Sequence, residues 1–182
     1  MDIRKSSLIT TIAAAGLMFV AGNAMAYTAK PIYVRGSAAG SFVNTTFAFE
    51  EGPDSLATEL GYDNLGGQSL SQVITEYYDA DETCTATDGT IGEVFYLHEG
   101  YAVISYAIGG QLYTFADEGS ECASLTTGVF SGSGPFYIIG GSGRFADASG
   151  TAETNFSGQF LDTPAEGFFG SVQQTNYGTV TP

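Results

Sequence analysis

The chain has 182 residues, with 5 Lys plus Arg against 20 Asp plus Glu for a formal charge of −15, and it holds two Cys, one His, 25 Gly and no Trp. That balance excludes nucleic-acid binding by phosphate neutralisation, because the chain repels a polyanion and has no basic run to offset the repulsion. It also argues against association with an anionic membrane surface.

Residues 1–26 read as a secretory leader. Arg4 and Lys5 form a positive start, Leu8 to Ala21 is a mostly apolar stretch, and Ala24-Met25-Ala26 fits the small-x-small cleavage rule. The stretch is short for a bilayer span, and no second run of membrane-spanning length follows. The expectation is export to the periplasm or cell exterior, leaving residues 27–182 as one domain, with no membrane contact after cleavage. A chain of that size buries about two-thirds of the surface its unfolded form exposes.

Period-2 alternation dominates the mature chain, which predicts an all-β fold. Ile32 to Arg35 and Ser41 to Phe49 read as the first strands, and Ser55 to Leu60 as a short helix stopped by Gly61. Strands are then expected over Gln68 to Tyr78, Thr90 to His98, Tyr101 to Ile108 and Gln111 to Ala116. Leu97-His98-Glu99-Gly100 reads as a turn, and Gly109-Gly110 as a tight hairpin that needs positive φ angles. Leu125 to Phe130, Pro135 to Ile139, Thr151 to Phe160 and Gly167 to Tyr177 continue the pattern. About nine short strands suit a closed antiparallel barrel or a sandwich. An outer-membrane barrel needs strands of about 9 to 11 residues with an apolar lipid-facing band. Several strands read shorter than that, and the Thr179-Val180-Thr181-Pro182 end carries no terminal aromatic strand, so a soluble barrel is preferred.

Export places Cys84 and Cys122 where disulfides persist, and neither has the C-x-x-C partner or basic neighbour of a reactive thiol. A structural bridge is therefore expected. His98 is the only histidine and no Ser lies in a G-x-S-x-G context, so a serine triad is not expected. One His and two distant Cys lack zinc spacing. The densest acidic cluster, Asp79, Asp81, Glu82 and Asp88, has Cys84 and Thr90 where a calcium loop needs Gly and Glu. The reading is no metal and no cofactor.

The most distinctive segment is Gly140-Gly141-Ser142-Gly143-Arg144-Phe145, followed by Gly150. Its G-x-G-x-x-A spacing imitates a dinucleotide fingerprint, but an alternating strand follows where that fingerprint needs a helix. A glycine-rich turn between two strands, with Phe145 plugging the core, accounts for the segment. The segment resembles the motif of the allene oxide cyclase and dirigent superfamily, which includes exported bacterial proteins. Gly67-Gln68-Ser69-Leu70, leading to Tyr77-Tyr78-Asp79, is a softer match. The resemblance covers about residues 66–177 and implies an eight-stranded antiparallel β-barrel with a cavity.

In that superfamily the cyclases close a fatty-acid epoxide using a carboxylate and an amide that hold a water. Dirigent proteins steer phenoxy radicals with cavity acids and tyrosines. No segment here matches the cyclase's functional positions, so no catalytic residue carries over. Glu50, Glu76, Tyr77, Glu93 and Tyr96 have suitable chemistry for a cavity, with their direction open at the level of sequence. The leading reading is an exported, soluble, non-catalytic binder of a small apolar or aromatic molecule. A cofactor-free cyclase or isomerase and a structural, self-assembling homo-oligomer are the alternatives. An interior lined by acid, amide and Tyr would favour the first two readings; a filled interior with an apolar outer patch would favour the third.

Overall fold

The computed structural model describes residues 31–45, 54–162 and 169–181. The expected leader, its cleavage point and Glu50 lie outside the described residues. Nine strands carry the fold: β1 (Ile32–Thr45), β2 (Asp54–Asp63), β3 (Gly67–Thr85), β4 (Ile91–Tyr106), β5 (Gln111–Ala116), β6 (Ser120–Ala123), β7 (Val129–Ser142), β8 (Ser149–Asp162) and β9 (Phe169–Thr181). One 3-10 turn, Gly143–Phe145, interrupts them.

Every pairing is antiparallel. β1 to β4 follow one another, β4 pairs with β5 along one half and β6 along the other, and both pair with β7. β7, β8 and β9 continue the sheet, and β9 returns to β1 in a register running from Ile32↔Val180 to Val43↔Phe169. The sheet therefore closes as a ring of eight positions, with β5 and β6 sharing one of them. Closure satisfies the backbone hydrogen bonds that an open rim would leave exposed.

Several local expectations give way to this pairing. Ser55 to Leu60 belongs to strand β2, not a helix, because β1 and β3 pair with it on both sides, whereas six residues of helix cannot offset their own nucleation cost. β1 runs unbroken through Gly36 and Gly40. The expected turn at residues 97–100 lies inside β4: the register shifts at Glu76/Tyr77, leaving His98 as an extra residue opposite β3. Such a bulge bends a strand without ending it. Residues 125–128 form a turn, closed by the Gly128 N–H donating to the Ser124 carbonyl at 2.8 Å, and the strand begins only at Val129.

Except for β5 and β6, the strands are 10 to 19 residues long, so shortness does not argue against an outer-membrane barrel. The outward faces of β8 and β9 do. Thr151, Glu153, Asn155, Ser157 and Gln159 of β8 and Gln173 and Thr175 of β9 are exposed, where a lipid-facing band would be apolar. Among the described residues no helix is long and apolar enough to cross a membrane.

Inward side chains form two clusters. Val34, Tyr106, Leu112, Ile138, Phe145, Ala148 and Val180 pack together in one. Phe42, Ala57, Ala123, Phe130 and Val172 form the other, with Val73, Phe95, Phe156 and Phe160 against them. The glycine motif shapes the first cluster. Gly143 adopts φ +62°, which turns the chain so that Phe145, 2% exposed, enters the core. Any side chain at Gly141 would run into the Gln111 carbonyl and Phe145 itself. Phe145 packs on the Tyr106 ring at 5.0 Å, with the Arg144 guanidinium 4.4 Å over its face. Tyr106 in turn donates its hydroxyl to Asp63 at 2.7 Å. Gly109 and Gly110, both at positive φ, make the turn from β4 to β5.

Cys84 and Cys122 form a disulfide with Cα atoms 6.0 Å apart. In register Cys84 sits opposite Gly92 and Cys122 opposite Val94, so the bridge straps β3 to β6 across β4.

Candidate functional site: an acid-lined cavity inside the barrel

The second cluster surrounds a cavity of about 500 Å³. Phe42, Phe95, Phe130, Phe156 and Phe160 give it aromatic walls, and Val73, Ala102, Ile104 and Val172 add aliphatic surface. Phe42 meets Phe130 and Phe160 edge-on, each at 5.5 Å, an arrangement that aromatic quadrupoles favour.

Two carboxyl groups break this apolar lining. Glu59 lies on β2 and alternates with inward Ala57, and it is 3% exposed. The inward positions of neighbouring β1, namely Gly36, Ala38 and Gly40, are small, and this lets Gln174 of β9 reach across β1 and donate its Nε2 to Glu59. Gln174 Oε1 accepts the Thr154 hydroxyl at 3.3 Å, which fixes the amide's orientation. Burial pushes Glu59 up to about 7, because the charged form loses its hydration. Glu121 enters from β6, and burial pushes it up to about 8. Tyr77 of β3 is near enough that Glu121 helps raise its phenol, behind the larger effect of burial and partly offset by a hydrogen bond with Thr75. Asn176 also lines the cavity, and its Oδ1 is buried with no hydrogen-bond partner. Glu118, in the break between β5 and β6, borders the same space.

Of the five candidates chosen from sequence, Glu50 lies outside the described residues, and the described lining includes Tyr77 and omits Glu76, Glu93 and Tyr96. For Glu76 and Tyr96 the reason is parity, since a shift of one residue exchanges the faces of a strand. Glu76 alternates with inward Thr75 and Tyr77 and is buried on the outer side, 3.0 Å from Nδ1 of the bulged His98. His98 is thus a strand residue paired to an acid, rather than part of a turn. Tyr96 stacks on exposed Tyr78, with ring centroids 5.7 Å apart. Glu93 shares the parity of Phe95 but sits farther along β4, opposite Thr83 and Ala123.

Sequence reasoning missed Glu59, Glu121, Gln174 and Asn176. Gln174 and Asn176 share the parity of Val172 on β9, a signal that was available. Glu59 was hidden by the helical reading of its segment, and Glu121 by the shortness of β6, whose four residues show almost no alternation.

At neutral pH this arrangement can hold a proton on Glu59 or Glu121 and offer it, or the resulting negative charge, to a bound molecule. The outer face also carries apolar groups in register. Val43 lies opposite Leu56, and Leu60 opposite Leu70, all exposed on adjacent strands.

No protein-family model and no curated protein matches the chain. Among solved structures, the pterocarpan synthase dirigent protein GePTS1 overlaps 91% of this chain and 99% of its own at 11% identity, with a TM-score of 0.26, a similarity too slight to carry a functional argument.

Proposed function

We propose that this protein is exported by its leader and that residues 27–182 act as a non-catalytic carrier, holding a small apolar or aromatic molecule inside the barrel. The observation that carries the reading is the aromatic cavity of about 500 Å³ with a few convergent polar groups. Small-molecule sites have this size and this mixture of apolar wall and sparse polarity. The resemblance of the glycine motif to allene oxide cyclase and dirigent barrels agrees with it.

The test uses the neutral, environment-sensitive fluorophore prodan with purified mature protein. A blue-shifted, saturable signal at one dye per barrel is expected, and Ala102→Phe, which fills the cavity, should abolish it while leaving the circular dichroism unchanged. Absence of binding, or binding indifferent to Ala102→Phe, would refute the reading. Native mass spectrometry after exposure to a hydrophobic extract separates carrier from cyclase or isomerase: a ligand recovered unchanged supports the first, a rearranged one the second.

The two exposed apolar pairs, Val43 with Leu56 and Leu60 with Leu70, favour a second reading, self-association through β1–β3. Sedimentation velocity should then show a concentration-dependent oligomer that Leu60→Glu dissociates; a monomer at all concentrations would exclude it.

A further inference from the structure

We infer that the cavity selects basic ligands, aromatic molecules bearing a protonated amine, through Glu59 and Glu121. The inference rests on the carrier reading and names the class of molecule carried. Among the described lining residues there are three carboxyl groups, Glu59, Glu118 and Glu121, and no Lys, Arg or His. The amide donors are largely committed, since Gln174 already gives its Nε2 to Glu59. Asn176 Oδ1 is an acceptor that faces no donor. The interior thus presents carboxyl groups and an unpaired amide oxygen with no cationic side chain to balance them.

An anionic ligand would meet carboxyl groups with no cation to compensate, and a neutral hydrocarbon would leave the buried Asn176 Oδ1 unsatisfied. An ammonium group supplies three donors and a positive charge. The rings of Phe42, Phe130, Phe156 and Phe160 in the lining supply apolar contact for an attached ring and aromatic surface for cation–π attraction. Glu59 is held by Gln174, which Thr154 holds in turn, so this acceptor is oriented before a ligand arrives. Glu121 comes in from β6, in another part of the ring. Tyr77, Tyr101 and Glu118 are the other titratable groups bordering the space.

The protonation state supports this geometry. With Glu59 at about 7 and Glu121 at about 8, the empty cavity carries protons near neutral pH. An arriving ammonium stabilises the carboxylate forms, so binding expels protons to solvent and strengthens as pH rises through this range while the amine stays charged.

The experiment displaces bound prodan with three probes of matched shape: 2-naphthylmethylamine, 2-naphthylmethanol and 2-naphthoate. At about pH 8 the amine should bind about tenfold or more tighter than the alcohol, with the carboxylate weakest. The amine's advantage should shrink at about pH 5.5, and its calorimetric heat should vary with buffer as protons are released. Glu59→Gln and Glu121→Gln should each lower the ratio of amine to alcohol affinity. Equal binding of amine and alcohol, or an advantage untouched by either variant, would overturn the inference and leave the carrier reading intact. Failure of prodan itself to bind would remove both.

Discussion

Glu59 shows how a single residue couples the cavity to stability. Its folded value of about 7 lies above the ordinary 4.5, so the folded protein retains a proton that the unfolded chain gives up between those values. Stability therefore falls as pH rises from 4.5 to about 7, and Glu121 extends the decline toward 8. Each pKa unit corresponds to about 1.4 kcal/mol, which makes roughly 3 kcal/mol the upper range for Glu59. Urea midpoints at about pH 5 and pH 8 should show the empty protein less stable at the higher value, with Glu59→Gln flattening the slope. An unchanged slope in that variant would mean Glu59 is not the titrating group. Phe145 makes a simpler contribution. It fills the end of the core against Tyr106, and Phe145→Ala should cost about 3 to 5 kcal/mol through lost transfer energy and the cavity left behind. Its place as a core plug is the kind of role that sequence reveals, because an isolated aromatic in a glycine-rich turn has few other ways to leave water. The direction of Glu76 and Tyr96 was not visible in that way, because each sits in a run of consecutive polar and aromatic residues whose two parities look alike.

The strands illustrate a different limit. β8 alternates so cleanly, from Thr151 to Gln159 outside and from Ala152 to Phe160 inside, that its face assignment follows from sequence. β2 does not, because Leu56 and Leu60 fall four apart and suggest a helix; in the barrel both are exposed, and Ala57 and Glu59 face inward. The glycine turn after β7 is legible in kind, but its necessity comes from contacts. Gly143→Ala must hold a left-handed backbone and should cost about 1 to 2 kcal/mol, measurable as a lowered unfolding midpoint without altered strand content. The disulfide connects β3 to β6, elements that do not follow one another in the chain. Reducing it should remove about 3 to 4 kcal/mol by releasing the unfolded chain from its loop constraint. Calorimetry with and without reductant would reveal this as a fall in Tm, and no fall would contradict the structural role. Alkylation should detect two thiols only after reduction.

At the scale of the molecule, the decisive event is closure of the first strand on the last. The β1–β9 ladder joins the two ends of the described chain, so its contacts form only after a long loop is closed. Folding should therefore fall in the millisecond-to-second range of non-local β topologies, which stopped-flow fluorescence of the 11 Tyr would measure; microsecond folding would be incompatible with this closure. The sequence by itself determined the all-β class, the glycine turn and the absence of a basic surface, because alternation, backbone freedom and charge are local properties that a residue carries wherever it lies. Only the tertiary structure decided that β5 and β6 share one position, that Glu59 and Gln174 meet across a strand of small residues, and which acids enter the cavity. Those outcomes depend on register, and register is settled when every strand has found its neighbours and the ring has closed.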